Sequence, residues 1–258
     1  MTTIIARSAE SVHYYRQDGT PQYTVTARDG SQRPTTLRDA RKMNLVPSVT
    51  TILKIVAKPG LEQWKLEQML LAALTLPKMA GEDEKQYIAR IVADSKETGR
   101  SAAEAGTRIH ESIESYMAGK RDIDHYDVGV AVDKYLLDYF RADIKWLVEH
   151  SFADPSRGFA GKVDMHASLE TAPDGIVLDV KTKDFGPDDK VIGYDEHLMQ
   201  LAAYRVGLGM PKARCANLFV SRTHTGHMCI TEWSQEDLDR GWRMFECALQ
   251  LWKLKNLF

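Results

Sequence analysis

The pattern of apolar and polar positions changes period along the chain, and the changes outline its elements. "VHYYRQDGTPQYTVTA" (12–27) alternates on either side of the turn pair Asp18 and Gly19, which predicts a β-hairpin. "PSVTTIL" (47–53) offers Ser48 or Thr50 as N-cap of a helix with the basic residues Lys54 and Lys58. Pro59 suits the first turn of the next helix, "PGLEQWKLEQMLLAALTL", whose Leu61, Trp64, Met69 and Leu70 are expected to form a buried stripe. A long helical pattern runs from about Glu84 to Met117, with Gly99 and Gly106 as candidate breaks. Another, "VAVDKYLLDYFRADIKWL", places apolar residues at helical spacing around Tyr135, Leu136 and Tyr139.

The period then shortens. "KWLVEHSFAD", "GFAGKVDMHASLE" and "DGIVLDVKTK" read as three strands, separated by turn residues at Pro155 and Gly158 and at Pro173, Asp174 and Gly175. A helix, "DEHLMQLAAYRVGLG", stops at glycine. "CANLFVSRT" and "HMCITEW" give two more strands around Thr225 and Gly226. The last stretch is an amphipathic helix capped at Ser234, with Leu238, Trp242, Phe245, Leu249 and Trp252 on one side. This order predicts an α/β (α+β) fold, a central mixed β-sheet flanked by helices, behind a helical N-terminal region. Residues 1–83 form the hairpin-and-helix region and 84–258 the core, as two parts or as one domain. Internal repeats and low-complexity segments are absent.

Composition narrows the class of protein. With 258 residues, 43% hydrophobic and 27% charged, the chain can bury a full core. A net charge of -2 argues against a uniformly basic surface, but permits a local basic cluster for nucleic acid. Lys54, Lys58 and Lys65 are candidates for such a cluster. Cys215, Cys229 and Cys247 are too few and too widely spaced for a disulfide framework or a zinc ribbon, which suits a reducing compartment. No apolar run reaches membrane-spanning length, and "MTTIIARSAES" makes a poor signal peptide. A soluble, cytoplasmic protein without a membrane partner is expected.

The candidate chemistry lies in "GIVLDVKTKDF". Strand side chains alternate, so Asp179 and Lys181 share a face while Val180 takes the other. A short turn brings Asp164, near the end of the preceding strand, back beside them. Two carboxylates with waters are what Mg²⁺ or Mn²⁺ accepts. A lysine beside them can position or deprotonate water and neutralise charge on a phosphate. D-x-K alone is a common tripeptide, and an ordinary charged hairpin would carry it too.

The surroundings are more specific. "GFAGKVD" followed by "IVLDVKTK" resembles the active-site core of the PD-(D/E)XK nucleases, with Gly161 before Asp164 and an apolar strand before Asp179. "AGTRIHESIESY" resembles the G-x-x-x-H helix of the RecB-like branch, through Gly106 and His110. "QLAAY" resembles its Q-x-x-x-Y motif, through Gln200 and Tyr204. "PSVTTIL", with Leu61 and Trp64 after it, is similar to mitochondrial genome maintenance exonucleases and related phage exonucleases. The resemblance spans Pro47 to Gly209, with its elements in the family's order.

That resemblance implies a restriction-endonuclease-like αβββαβ core and a metal site of His110, Asp164, Asp179 and the carbonyl of Val180. It puts Lys181 on the water or the scissile phosphate, and Gln200 and Tyr204 around the site and against the DNA backbone. Glu149 and Glu114 are candidate supporting acids, or plain surface residues. Arg108, Lys162, Thr182 and Lys183 are candidate DNA contacts, or solvated side chains. The implied activity is a Mg²⁺- or Mn²⁺-dependent DNA exonuclease of recombination or repair, encoded by a bacterium or phage. DNA is the expected partner, with a single-strand annealing protein as a further candidate. Some relatives hold an iron–sulfur cluster through four cysteines; three late cysteines without close spacing predict none here. A structure-specific endonuclease on the same core and a catalytically silent DNA-binding scaffold are the competing readings.

Overall fold

The computed structural model of the protein describes residues 12–120, 126–169 and 172–258, so the stretch 1–11, read as a poor signal peptide, lies outside the described residues. The chain begins with β1 (Tyr14–Tyr15), β2 (Thr24–Thr26), β3 (Gln32–Pro34), α1 (Leu37–Lys42), β4 (Val46–Pro47) and α2 (Val49–Leu53). The turn at Asp18 and Gly19 forms, with Gly19 at φ +86° donating its N–H to the Arg16 carbonyl. The hairpin expected around it forms only over a short span, with the Arg16 N–H donating to the Thr20 carbonyl and the Gln22 N–H to the Tyr14 carbonyl. β1 pairs with β4 and meets the returning chain at the Tyr15–Pro21 bridge, while β2 pairs with β3. Local alternation makes a segment fit for a sheet but does not choose its partner. Here β4 supplies that partner and leads directly into α2, whose N-cap Ser48 accepts from the Thr51 N–H.

Two long helices follow, α3 (Pro59–Thr75) and α4 (Glu84–Met117). The buried stripe expected on α3 is corrected: Leu61, Met69 and Leu70 are exposed, as are Leu66, Leu71 and Leu74. α3 rests on α4 rather than on the sheet, so one narrow side is covered, with Trp64 against Gly99. α4 runs unbroken through Gly99 and Gly106 for 34 residues, from a capping box at Asp83 and Gln86. Its glycines serve close approach instead of a break. A Cβ on Gly106 would sit 2.6 Å from the Thr182 hydroxyl.

α5 (Tyr126–Phe140) ends earlier than its apolar pattern, at Arg141 with φ +53°, and Leu147 already belongs to the sheet. The remaining elements are β5 (Leu147–Asp154), β6 (Phe159–Leu169), β7 (Ala172–Lys183), α6 (Asp195–Gly207), β8 (Arg214–Ser221), β9 (Met228–Trp233) and α7 (Gln235–Asn256). The strands form one mixed sheet in the order β5-β6-β7-β8-β9. β7 and β8 are parallel and joined by the α6 crossover; the other pairs are antiparallel. The succession α5, β5, β6, β7, α6, β8 is the expected αβββαβ order, with β9 and α7 appended.

The sheet is covered on both faces. Val163, Val177 and Cys215 pack with Ile52 of α2, Leu198 and Leu201 of α6, and Leu238, Phe245 and Leu249 of α7. Met165, Leu178, Val180 and Leu218 pack with Ile113 of α4 and Val132 and Leu136 of α5. β4 and α2 therefore sit against the core sheet beside β6, where Tyr15 and Val46 pack on Ala160. Among the described residues no helix is long and apolar enough to cross a membrane.

Candidate active site

The site begins where a ladder parts. β6 and β7 pair through Ala167–Ile176, His166–Val177 and Met165–Leu178. One step further the Val180 N–H donates to the Asp164 carboxylate, at 2.7 Å, in place of a β6 carbonyl. β7 continues beside β8 as far as Lys183. The gap between β6 and β7 is a cleft of about 370 Å³. Asp164, Asp179, Val180, Lys181 and Thr182 line it from the sheet, His110 from α4, and Gln200 and Tyr204 from α6. His13, Tyr15, Tyr23, Ser48 and Thr50 close it from the N-terminal region.

Asp179 is the centre of the network and is 1% exposed. A buried carboxylate needs donors on its oxygens, and three converge here. Oδ2 lies 2.6 Å from Lys181 Nζ and accepts from Asn217 Nδ2 at 2.8 Å; Oδ1 accepts from Gln200 Nε2 at 2.9 Å. Burial pushes the Asp179 carboxyl up from its ordinary value; Lys181 pulls against this, and the nearby Asp164 charge adds to it. Gln200 also donates to the Tyr204 hydroxyl at 2.9 Å and accepts from Lys181 at 3.1 Å, so every polar atom of its amide is engaged. Gln200 and Tyr204 stand one turn apart on α6, which is why one amide serves both. Burial holds the Tyr204 phenol well above its usual value, and Gly161 admits its ring: a Cβ there would lie 2.9 Å from the Tyr204 and Phe152 rings.

The oxygen donors facing the cleft suit a hard divalent ion. Among the described residues no group of three or more His, Cys, Asp and Glu forms a ready cage. Mg²⁺ is commonly held by one or two carboxylates, with waters and substrate phosphates completing its shell. Asp164 and Asp179 fit that pattern: burial raises the Asp179 carboxyl most, and the Asp164 charge, which adds to it, is one that a cation between them would offset. His110 Nδ1 lies 4.0 Å from Asp164 Oδ2, at the edge of the pair.

Other candidates fall at varying distances from this centre. Lys162 lines the cleft and pairs with Glu149, which adopts a left-handed φ of +53° within β5. Thr182 lines the cleft beneath Gly106. Lys183 lies over the Tyr194 ring, 5.8 Å from its centroid, outside the lining. Arg108 is exposed and Glu114 half-buried on α4, and neither lines the cleft.

Three groups escaped the sequence reading. Asn217 was visible only as a polar interruption in the apolar run "CANLFVS", and Trp233 as a strand-end aromatic. His197, one turn before Gln200, is held down to about 4 by burial and by the Lys181 charge. Nothing in its local sequence marks it.

No protein-family model matches the chain, and no curated protein matches it. Among solved structures, a candidate exonuclease from Eubacterium rectale is similar at 12% identity and a TM-score of 0.40, over 59% of this chain and 68% of that one. SSO0001 is similar at 13% identity and a TM-score of 0.26, over 47% of this chain. The chain spans 60% of the length of SSO0001. Likenesses this slight establish neither a family nor an activity.

Proposed function

We propose that this protein is a Mg²⁺- or Mn²⁺-dependent deoxyribonuclease of the RecB-like branch of the PD-(D/E)XK superfamily. It hydrolyses phosphodiester bonds from DNA ends, in the manner of the mitochondrial genome maintenance and related phage exonucleases. The observation that carries the reading is the Lys181–Asp179–Gln200 network at the parting of β6 and β7, with Asp164 beside it in an open cleft. An ion pair that served stability alone gains nothing from standing in a cleft beside a second carboxylate.

Asp164, Asp179 and the Val180 carbonyl would hold the ion, with His110 at its margin. The bound ion supplies electrostatic stabilisation of the charge that develops on the phosphoryl oxygens. The chain's own groups do the rest. Lys181 is steered by Asp179 and by the Gln200 carbonyl, so its Nζ stands at the cleft wall, where it orients the attacking water and faces the scissile phosphate. Tyr204 stays a neutral phenol and anchors the Gln200 amide. Thr182 and Lys162 line the path of the backbone, where a hydroxyl and an ammonium suit phosphate oxygens. Lys183 and Arg108, outside the lining, would meet the strand further out. The half-buried Tyr23, which also lines the cleft, offers a ring to a base.

The test is degradation of end-labelled linear DNA and closed circular DNA, single- and double-stranded, with Mg²⁺, Mn²⁺ or EDTA. Metal-dependent loss of linear DNA with circles spared is the expected result, and the label position gives the polarity. Nicked or linearised circles would replace the exonuclease with an endonuclease on the same core. Binding without cleavage under either metal would leave a DNA-binding scaffold.

A further inference from the structure

Asn217 is fully buried in the middle of the sheet, and both ends of its side chain are committed. In the parallel β7–β8 ladder it lies opposite Asp179; in the antiparallel β8–β9 ladder it lies opposite Thr231. Trp233 stands two residues beyond Thr231, on the same face of β9 and within diagonal reach. The three side chains form a row across the strands. Trp233 Nε1 donates to Asn217 Oδ1 at 2.8 Å, and Asn217 Nδ2 donates to Asp179 Oδ2 at 2.8 Å.

The direction of this row is dictated by chemistry. An indole N–H can only donate and an ionised carboxylate can only accept. An amide turned the other way would set N–H against N–H at one end and oxygen against oxygen at the other. Trp233 therefore selects the one orientation in which Asn217 donates to the carboxylate. Gly193 makes room for the indole, since a Cβ there would lie 2.6 Å from Trp233 Cζ2.

We infer that Asn217 and Trp233 are positioning residues of the site: Trp233 locks the Asn217 amide, and the amide holds the Asp179 carboxylate in the orientation that binds a divalent cation. The inference rests on the reading of Asp179 as a metal ligand. Lys181 and Asn217 share Oδ2, so neither can draw the carboxylate wholly to itself. Without the amide, the carboxylate turns onto Lys181 and occupies the ammonium that should face the cleft. Two faults then follow from one lost hydrogen bond, weaker cation binding and a lysine pulled from the phosphate.

The experiment uses the full chain with Mn²⁺ as probe. Mn²⁺ affinity is measured by electron paramagnetic resonance without DNA, alongside kcat and KM on linear DNA. Trp233→Phe keeps an aromatic ring and deletes the N–H; Asn217→Leu keeps the volume and deletes both hydrogen bonds. Each is expected to weaken Mn²⁺ binding about tenfold and lower kcat, with KM for DNA within about twofold, as losses of groups that orient metal ligands do. The double variant should match Asn217→Leu, because the indole acts only through the amide. Mn²⁺ affinity unchanged in the folded Trp233→Phe variant, or effects that multiply in the double variant, overturns the relay. A wild type that binds Mn²⁺ at Asp179 but cleaves no DNA removes the nuclease reading, and the relay is then judged on binding alone. A wild type that does not bind Mn²⁺ overturns both.

Discussion

At the scale of single residues, the decisive contrast is between Lys181 and the groups that hold it. Lys181 is a quarter exposed at the cleft wall, whereas Asp179 is buried. Lys181→Ala is therefore expected to lower kcat by about 10³-fold, within the range of lost proton-transfer and charge-stabilising groups, while DNA affinity stays close to wild type. The melting temperature falls, because the buried Asp179 loses its cation. Turnover, thermal melting and equilibrium binding on the same sample check this; full activity in the variant would sink the assignment of Lys181. The cysteines provide a control on the fold. Burial pushes the Cys215 thiol up to about 12, whereas Cys247 is exposed on α7. Thiolate is the reactive form, so a maleimide should label Cys247 in the native protein and reach Cys215 only on unfolding. Rapid native labelling of Cys215 would contradict its place in the sheet.

At the scale of elements, the more polar helix α4 presses on the sheet while the leucine-rich α3 stays largely exposed. α4 presses onto β7 at Gly106, so Gly106→Ala sets a methyl against the Thr182 hydroxyl. The gain in helix propensity, about 1 kcal/mol, opposes an overpacking cost of about 1–3 kcal/mol. The expected outcome is a net loss of stability in denaturant melts, with cleavage impaired because Thr182 lines the cleft. A stabilised, fully active variant would contradict the close approach. α3 carries the leucines that α4 lacks, yet Leu70 is 63% exposed. Leu70→Glu should change stability by no more than about 0.5 kcal/mol, as surface substitutions do, and a loss of several kcal/mol would show that the stripe is covered.

At the scale of the whole molecule, stability is tied to pH through histidines kept neutral by burial. His197 is held down to about 4, and His166 is lowered by burial and by His150, which it contacts at 2.6 Å. The unfolded chain takes up these protons near the ordinary histidine value of about 6.5, the folded chain only at lower pH. Their contribution is thus complete above about pH 6.5 and is lost as pH falls towards 4. The His197 shift alone is worth on the order of 3 kcal/mol. Asp179 works in the opposite sense, because its raised value lets the folded state bind a proton first on acidification. A falling melting temperature between pH 7 and pH 4.5 is expected, with a shallower slope in His197→Gln. An unchanged slope in that variant would remove His197 as the source.

The sequence by itself determined what local physics can encode. Ser48 and Ser234 announce helix starts, Pro59 a first turn, and the alternation around Asp179 a strand with an acid and a lysine on one face. Asp164, Asp179, Lys181, Gln200 and Tyr204 were each visible as residues of the right type at the right spacing. Partnership was not visible, because it depends on contacts between positions far apart in the chain. The alternation in residues 12–27 could not say that β1 would also pair with β4, or that β2 would pair with β3, and the leucines of α3 could not say that α4 would cover only one side. Asn217 lies 38 residues from Asp179 and Trp233 a further 16 on, so their row exists only once the sheet has stacked β7, β8 and β9. Tertiary structure alone decided that the β6–β7 ladder parts at Asp164, since a hydrogen bond is redirected only where a side chain from one strand meets a backbone N–H from another.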